Sequence, residues 1–306
     1  MIKKGVSLPR LVVVTRPSPI EELRARHGTK SQAKFYLSSR KQKIEAFEEQ
    51  TTRIEAGIAA VLAALPPDRR RARVSRDELD RFVFEPEDIV FAVGQDGLVA
   101  NVAKYLDAQP IVGINANPAQ FDGVLCRLRP EHTARALAHA EGRGGGLCTE
   151  FRTLAVAERE DGQKLRALNE IFIGHRTHQS ARYSLTHRGC SARHSSSGVI
   201  VTTGTGATGW ARSIATQRGI VESLPSALDK RLLYLVREPF PSVVTVTAMD
   251  TGILEPGETL VLTSEMGEGG VIFADGIESD ALEFVTGQRV AIRADETQAR
   301  LVMPVD

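Results

Sequence analysis

Three short runs free of polar residues punctuate the early part of the chain, at residues 11–14, 89–93 and 111–114. Continuous apolar runs of this length, rich in Val and Ile, mark strands buried on both faces, as in a parallel sheet. Between the second and third runs, Leu98, Val102, Ala103 and Leu106 recur at helical spacing. Residues 89–114 therefore predict strand, tight glycine turn, helix, strand: a βαβ unit whose turn lies at the carboxyl edge of the sheet, where such folds bind ligands. Residues 31–65, rich in Ala, Glu, Lys and Gln and free of proline, predict one long helix or two, stopped by Pro66-Pro67. Pro17-Ser-Pro19 predicts a turn, residues 131–140 another helix, and Gly142-Arg-Gly-Gly-Gly146 a hinge.

Beyond that hinge helical periodicity mostly vanishes, and short β-rich runs recur with turn residues between them. They fall at residues 151–157, 165–173, 181–187, 198–203, 231–236, 243–248, 259–263, 271–274 and 289–292. The pattern predicts an α/β amino-terminal domain (residues 1–145) with a parallel, Rossmann-like sheet. A mainly antiparallel all-β domain follows (residues 146–306), and its last segment is expected to pack back on the first domain.

Composition narrows the classes. A chain of 306 residues is long enough for two cores, and its net charge of +1 argues against a nucleic-acid surface. It has no run of about 18 apolar residues to span a bilayer, and Met1-Ile-Lys-Lys-Gly-Val lacks the apolar core of a secretory signal. Cys126, Cys148 and Cys190 lie far apart with no Cys-x-x-Cys, as expected of reduced thiols. The expectation is a cytoplasmic protein with neither a nucleic-acid nor a membrane partner.

Several segments carry candidate chemistry. In Val93-Gly-Gln-Asp-Gly97 two glycines flank Asp96, and two readings stand: a helix cap, or a carboxylate aimed at a ligand beside a phosphate-accepting backbone. Gly204-Thr-Gly-Ala-Thr-Gly209 fits the dinucleotide pattern Gly-x-Gly-x-x-Gly, but the helix after it is short and β-rich sequence follows, against a dehydrogenase. Its Gly/Thr turn still offers N–H groups and the hydroxyls of Thr203, Thr205 and Thr208 to a nucleotide. Asn169-Glu170, within a predicted strand, suits sugar hydroxyls or an amide, or else an exposed edge. His175, His178, His187, His194 and Cys190 are ligand types zinc accepts, yet their cationic neighbours favour a solvated hairpin, so no metal site is assigned. Arg69-Arg-Arg-Ala-Arg73 reads as a solvated loop before a polyphosphate grip. Neither a Gly-x-Ser-x-Gly elbow nor a Gly-x-x-x-x-Gly-Lys-Ser/Thr loop occurs, which disfavours serine hydrolases and P-loop NTPases.

Taken in order, these pieces resemble the NAD kinase family, and most closely its mitochondrial-type branch. The resemblance rests on Val93-Gly-Gln-Asp-Gly97, Pro110-Ile-Val-Gly-Ile-Asn115 with Pro118 and Gly123, Ala167-Leu-Asn-Glu-Ile-Phe-Ile-Gly174, and Ser196-Ser-Gly-Val-Ile-Val-Thr-Thr-Gly-Thr-Gly-Ala-Thr-Gly-Trp210. Val236-Arg-Glu-Pro239 and Ala274-Asp-Gly276 add to it. It implies transfer of the terminal phosphoryl of ATP, with Mg²⁺ on the donor phosphates, or of polyphosphate, to the 2′-hydroxyl of NAD's adenosine ribose, giving NADP. By position it implies Asp96 as base or orienting group and Gly94 and Gly97 at phosphate. Asn169 and Glu170 would hold the dinucleotide, and Thr203, Thr205, Gly206, Ala207 and Thr208 would contact adenosine. It also implies a homo-oligomer, dimer or tetramer.

The chain departs from the family at Gln95 and Leu98, where the family has glycine and threonine. A positive φ at residue 95 would add about 1 to 2 kcal/mol of strain, and the longer side chain would crowd the donor. Ser197 stands where many relatives have Asp, a feature of the mitochondrial-type branch. Two other functions fit the same residues: a dinucleotide-binding protein disabled by Gln95, and a lipid or small-molecule kinase, since those share the glycine-aspartate loop.

Overall fold

The computed structural model describes residues 8–243, 245 and 247–305. The chain clusters into two units: one made of residues 1–102, 109–150 and 300–306, the other of residues 103–108 and 151–299. The amino-terminal sequence read for a targeting signal lies outside the described residues.

The first unit contains β1 (Leu11–Thr15), α1 (Pro19–His27), α2 (Lys30–Ser38), α3 (Ile44–Ala64), β2 (Arg71–Ser75), β3 (Ile89–Gly94), α4 (Asp96–Ala103), β4 (Pro110–Asn115) and α5 (Thr133–Ala140). Its strands run parallel in the order β2-β1-β3-β4. Residues 11–14 and 89–93 are buried on both faces, which is why neither run tolerates a polar side chain. One face carries α3 and α5, whose Ile58, Val61, Ala136 and Leu137 pack on Val13, Phe91 and Ile114. A Cβ at Gly57 would lie 2.5 Å from the carbonyl oxygen of Ala116, so glycine there lets α3 reach the end of β4.

Residues 31–65 form two helices, one of the two forms the sequence allowed, while two other segments depart from the sequence reading. The predicted turn at residues 17–19 is the start of α1, whose cap is a reciprocal pair: Ser18 Oγ accepts the Glu21 N–H and Glu21 Oε2 accepts the Ser18 N–H. The arginine run is structural: Arg69 is buried against Glu141, and Arg71 donates to the carbonyls of Leu62, Leu65 and Pro66 at the end of α3.

The second unit contains β5 (Leu147–Arg159), from residue 151 on, then β6 (Lys164–Ala167), β7 (Glu170–His175), β8 (Ala181–His187), β9 (Cys190–Ser196) and β10 (Val199–Thr202). After these come α6 (Trp210–Arg218), β11 (Leu232–Val236), β12 (Thr251–Leu254), β13 (Leu260–Ser264), β14 (Gly270–Ala274), β15 (Ile277–Glu283) and most of β16 (Arg289–Pro304). Six strands form an antiparallel sheet in the order β12-β11-β10-β7-β14-β15. A second antiparallel set runs β9-β8-β13, and β13 pairs with residues 289–292 of β16. Alternating side chains from both sets, among them Ile171, Ile173, Tyr183, Leu185, Val201 and Leu262, share one core. Part of the run at residues 243–248 lies outside the described residues, and its described residues form no strand.

Residues 300–302 of β16 belong to the first unit, where they pair in parallel with residues 110–112 of β4.

Candidate functional site

In the second unit the site is built around a two-residue hairpin. β14 and β15 are joined by Asp275-Gly276, with Ala274 paired to Ile277, and both loop residues take positive φ, 51° and 67°. An Asp-Gly pair suits this type I′ geometry, because Asp tolerates the left-handed region and glycine has no Cβ to clash. The hairpin holds the Asp275 carboxylate beside the junction of β6 and β7. There Oδ2 accepts the N–H of Leu168 at 2.8 Å, and Oδ1 accepts those of Asn169 at 2.8 Å and Glu170 at 3.1 Å. Three N–H groups turned onto one carboxylate cannot join a ladder, so the run predicted as one strand over residues 165–173 breaks at Leu168 and Asn169. Asn169 thus sits in a turn, a correction to its placement inside a strand, while Glu170 opens β7.

The Thr/Gly segment packs on that turn. Thr203 Oγ1 donates to the Leu168 carbonyl at 2.5 Å and accepts the N–H groups of Thr205 and Gly206 at 3.1 and 3.2 Å. The Asn169 carbonyl in turn accepts the Thr203 N–H at 2.9 Å. The glycines serve this internal packing: a Cβ at Gly206 would lie 2.3 Å from the Asn169 oxygen, and one at Gly204 only 1.7 Å from the Ser226 oxygen. Their spacing thus matches the dinucleotide pattern for a local reason.

This arrangement sorts the predicted contacts. Thr203 is fully buried and its hydroxyl is already committed, so it shapes the turn and offers nothing to a ligand. Thr205 is buried with a hydroxyl that has no hydrogen-bond partner, an open position in an otherwise satisfied segment. Thr208 is exposed, its hydroxyl donating to the Thr205 carbonyl at 3.3 Å, and Ala207 lies buried beneath it. Asn169 and Glu170 are half-buried, and their side chains make no hydrogen bond among the described residues. Burial, and then the charge of Asp275, pushes the Glu170 carboxyl up to about 7. Burial also pushes Asp275 up, to about 6, against the three N–H donors and Lys104. Of the two carboxyls, Glu170 holds a proton the more readily, because it lacks such donors.

In the first unit, the Gly94–Gly97 turn places Asp96 at the start of α4. Its carboxylate faces the loop after β4, where Oδ2 accepts the Val124 N–H at 2.7 Å and Oδ1 accepts those of Leu125 and Cys126 at 2.9 and 2.8 Å. Beneath it, burial and then Asp96 push the Cys126 thiol up, so it stays protonated. Gly97 is exposed, and neither it, Gly94 nor Gln95 takes a positive φ, so Gln95 carries no left-handed strain. Leu98 is fully buried in the core, on the inner side of α4.

The remaining candidate ligands do not converge. His187 pairs with Cys190 across the β8–β9 hairpin, while His194 is buried against Tyr183. Among the described residues no cluster of three His, Cys, Asp or Glu side chains could hold a metal ion. No helix among them is long and apolar enough to cross a membrane.

No protein-family model matches the sequence, and no curated protein matches it. Solved structures do. Yeast NADH kinase complexed with NADH aligns over 98% of this chain and 85% of its own, at 14% identity and a TM-score of 0.59. An NAD kinase from Archaeoglobus fulgidus in complex with ATP aligns over 95% of this chain and 92% of its own, at 18% identity and a TM-score of 0.54. The chain has the NAD kinase fold. Both elements expected of that fold are present: an α/β unit carrying the Gly94–Gly97 turn, and an antiparallel β unit carrying the Asn169-Glu170 and Thr203–Thr208 segments. The organising residue of this site is Asp275, which the sequence reading counted within Ala274-Asp-Gly276 but gave no role in the site.

Proposed function

We propose that this protein is a phosphotransferase of the NAD kinase type, moving the terminal phosphoryl of ATP, or of polyphosphate, to the 2′-hydroxyl of NAD's adenosine ribose. The observation that carries this reading is the Asn169-Glu170 turn, held from below by Asp275 and covered by the Thr/Gly segment, in a chain whose fold is that of the NAD kinases. It leaves the amide of Asn169, the carboxyl of Glu170 and the hydroxyls of Thr205 and Thr208 as the groups for a dinucleotide. Thr203, Gly206 and Ala207 act through the shape of the turn.

Asp96 fits the orienting role better than the base role. Its three N–H donors fix the carboxylate's direction and occupy most of its lone pairs, while leaving one free for a hydroxyl. Gly94 and Gly97 expose backbone for donor phosphate. ATP would bring its own Mg²⁺, which would supply neutralising charge at the donor phosphates. Phosphoryl transfer depends chiefly on such alignment and charge neutralisation.

Purified protein incubated with NAD and Mg-ATP, or with NAD and polyphosphate, is expected to form NADP, read by chromatography. No NADP with either donor overturns the reading. A second reading, a dinucleotide-binding protein without turnover, is favoured by Gln95 lining a cavity beside the turn. NADP formed by Gln95→Gly and not by the parent protein would establish it.

A further inference from the structure

The first unit has a half-open cavity of about 270 Å³ lined by Arg16, Glu22, Gln50, Gln95 and Asn117. It lies at the carboxyl ends of β1, β3 and β4. The order β2-β1-β3-β4 reverses its direction of growth between β1 and β3, the crevice where open parallel sheets bind ligands. Three other arginines of this unit that are withdrawn from solvent are engaged: Arg10 pairs with Asp88, Arg69 with Glu141, and Arg76 donates to Asn101. Arg16 is different. It is half-buried, and among the described residues its guanidinium makes no hydrogen bond and no ion pair. Burial and then the nearby Arg76 penalise its charge, and the carboxylates of Glu22 and Asp77 offset this only in part. A guanidinium stays charged in proteins, so this one is left with an unmet demand for an anion.

We propose that Arg16 takes the phosphate chain of the phosphoryl donor in this cavity, with the amides of Gln95 and Asn117 as its hydrogen-bond donors. A planar guanidinium fork suits phosphate oxygens. In this chain the donor's charge would thus be met by a side chain after β1, and Gln95 would be a ligand to the donor. Glu22 faces the same space and opposes the anion. The cavity is smaller than the roughly 300–1,000 Å³ of a site for a whole drug-sized ligand, so it suits part of a nucleotide or a short polyphosphate. The inference rests on the kinase reading for the name of the ligand, and on the cavity for its chemistry.

The test is calorimetric titration of the protein with inorganic tripolyphosphate and, separately, with ATP, both without NAD. Arg16→Ala is expected to weaken tripolyphosphate binding at least tenfold, Arg16→Lys to restore part of it, and Glu22→Gln to tighten it. ATP bound at least tenfold more tightly than tripolyphosphate identifies a nucleoside triphosphate as the occupant; equal affinity identifies the phosphate chain alone. In turnover, Arg16→Ala should raise the donor KM and leave the NAD KM unchanged. Because Arg16 is unpaired, the alanine variant should keep the parent's melting temperature, so a loss of binding is not a loss of fold. Tripolyphosphate affinity that stays within twofold in a folded Arg16→Ala protein overturns the inference, as does a parent protein that binds neither anion. Binding that depends on Arg16 in a protein that makes no NADP would sink the kinase reading and leave this one standing.

Discussion

Asp275 accepts the backbone N–H of Glu170 at 3.1 Å, while its charge helps to push the Glu170 carboxyl up to about 7. One carboxylate therefore shapes the turn and adds to the burial that already raises its neighbour's carboxyl. Replacing Asp275 by Ala strands three N–H groups and puts a Cβ residue with no side-chain compensation at φ 51°. A loss of roughly 3 kcal/mol or more is expected, with NAD binding lost alongside. Asp275→Asn, which tolerates that backbone and keeps one acceptor oxygen, should lose less. Urea denaturation with an unchanged slope, followed by NAD calorimetry, checks both.

Glu170 should make the protein less stable as pH rises. Its folded value of about 7 lies above its ordinary 4.5, so below pH 4.5 both states are protonated and nothing is lost. Between pH 4.5 and 7 the unfolded chain ionises first, and the penalty grows to about 3 kcal/mol at most, staying constant above. Glu170→Gln should thus be more stable than the parent at pH 8 and no more stable at pH 4. The slope that remains in the variant at acid pH combines Asp275 with paired carboxylates such as Glu141 and Glu258. Equal denaturation midpoints for parent and variant at pH 8 would contradict the assignment.

Thr203 and Thr205 should separate fold from binding. Thr203→Val removes the acceptor of two N–H groups and the donor to Leu168, at a cost of about 1–3 kcal/mol. Thr205→Val removes a buried hydroxyl with no partner, so stability should hold or rise, by about 1 kcal/mol or more, while NAD affinity falls. Thermal denaturation and NAD titration of the two variants give the comparison.

Gln95 should behave as an ordinary turn residue in stability. Since its φ is not positive, Gln95→Gly relieves no strain and should lower stability by about 0.5–1 kcal/mol through the freer unfolded chain. A variant more stable than the parent would show strain at this position after all.

What the sequence made legible follows from where the information sits. β1, β3 and β4 could be read because burial on both faces leaves continuous apolar runs. α1 was hidden because Pro17 and Pro19 flank its capping serine and look like a turn, although Ser18 and Glu21 carried the capping signal. β9, whose Cys190–Ser196 is mostly small and polar, has no apolar run at all; only its alternation of buried Ala192, His194 and Ser196 marks it. The break at Leu168 and Asn169 could not be read locally, because the group that causes it lies over a hundred residues away. The same holds for the Asp96 carboxylate, whose partners at Val124, Leu125 and Cys126 belong to a loop with no distinctive composition.

The pairing of residues 300–302 with β4 also bears on biogenesis. On the ribosome, β4 emerges long before its outer neighbour, which exists only after the whole β-rich unit has been made. Until then that margin of the nascent sheet presents unsatisfied peptide groups beside fully apolar strands, the kind of surface that chaperones cover and that self-associates when they do not.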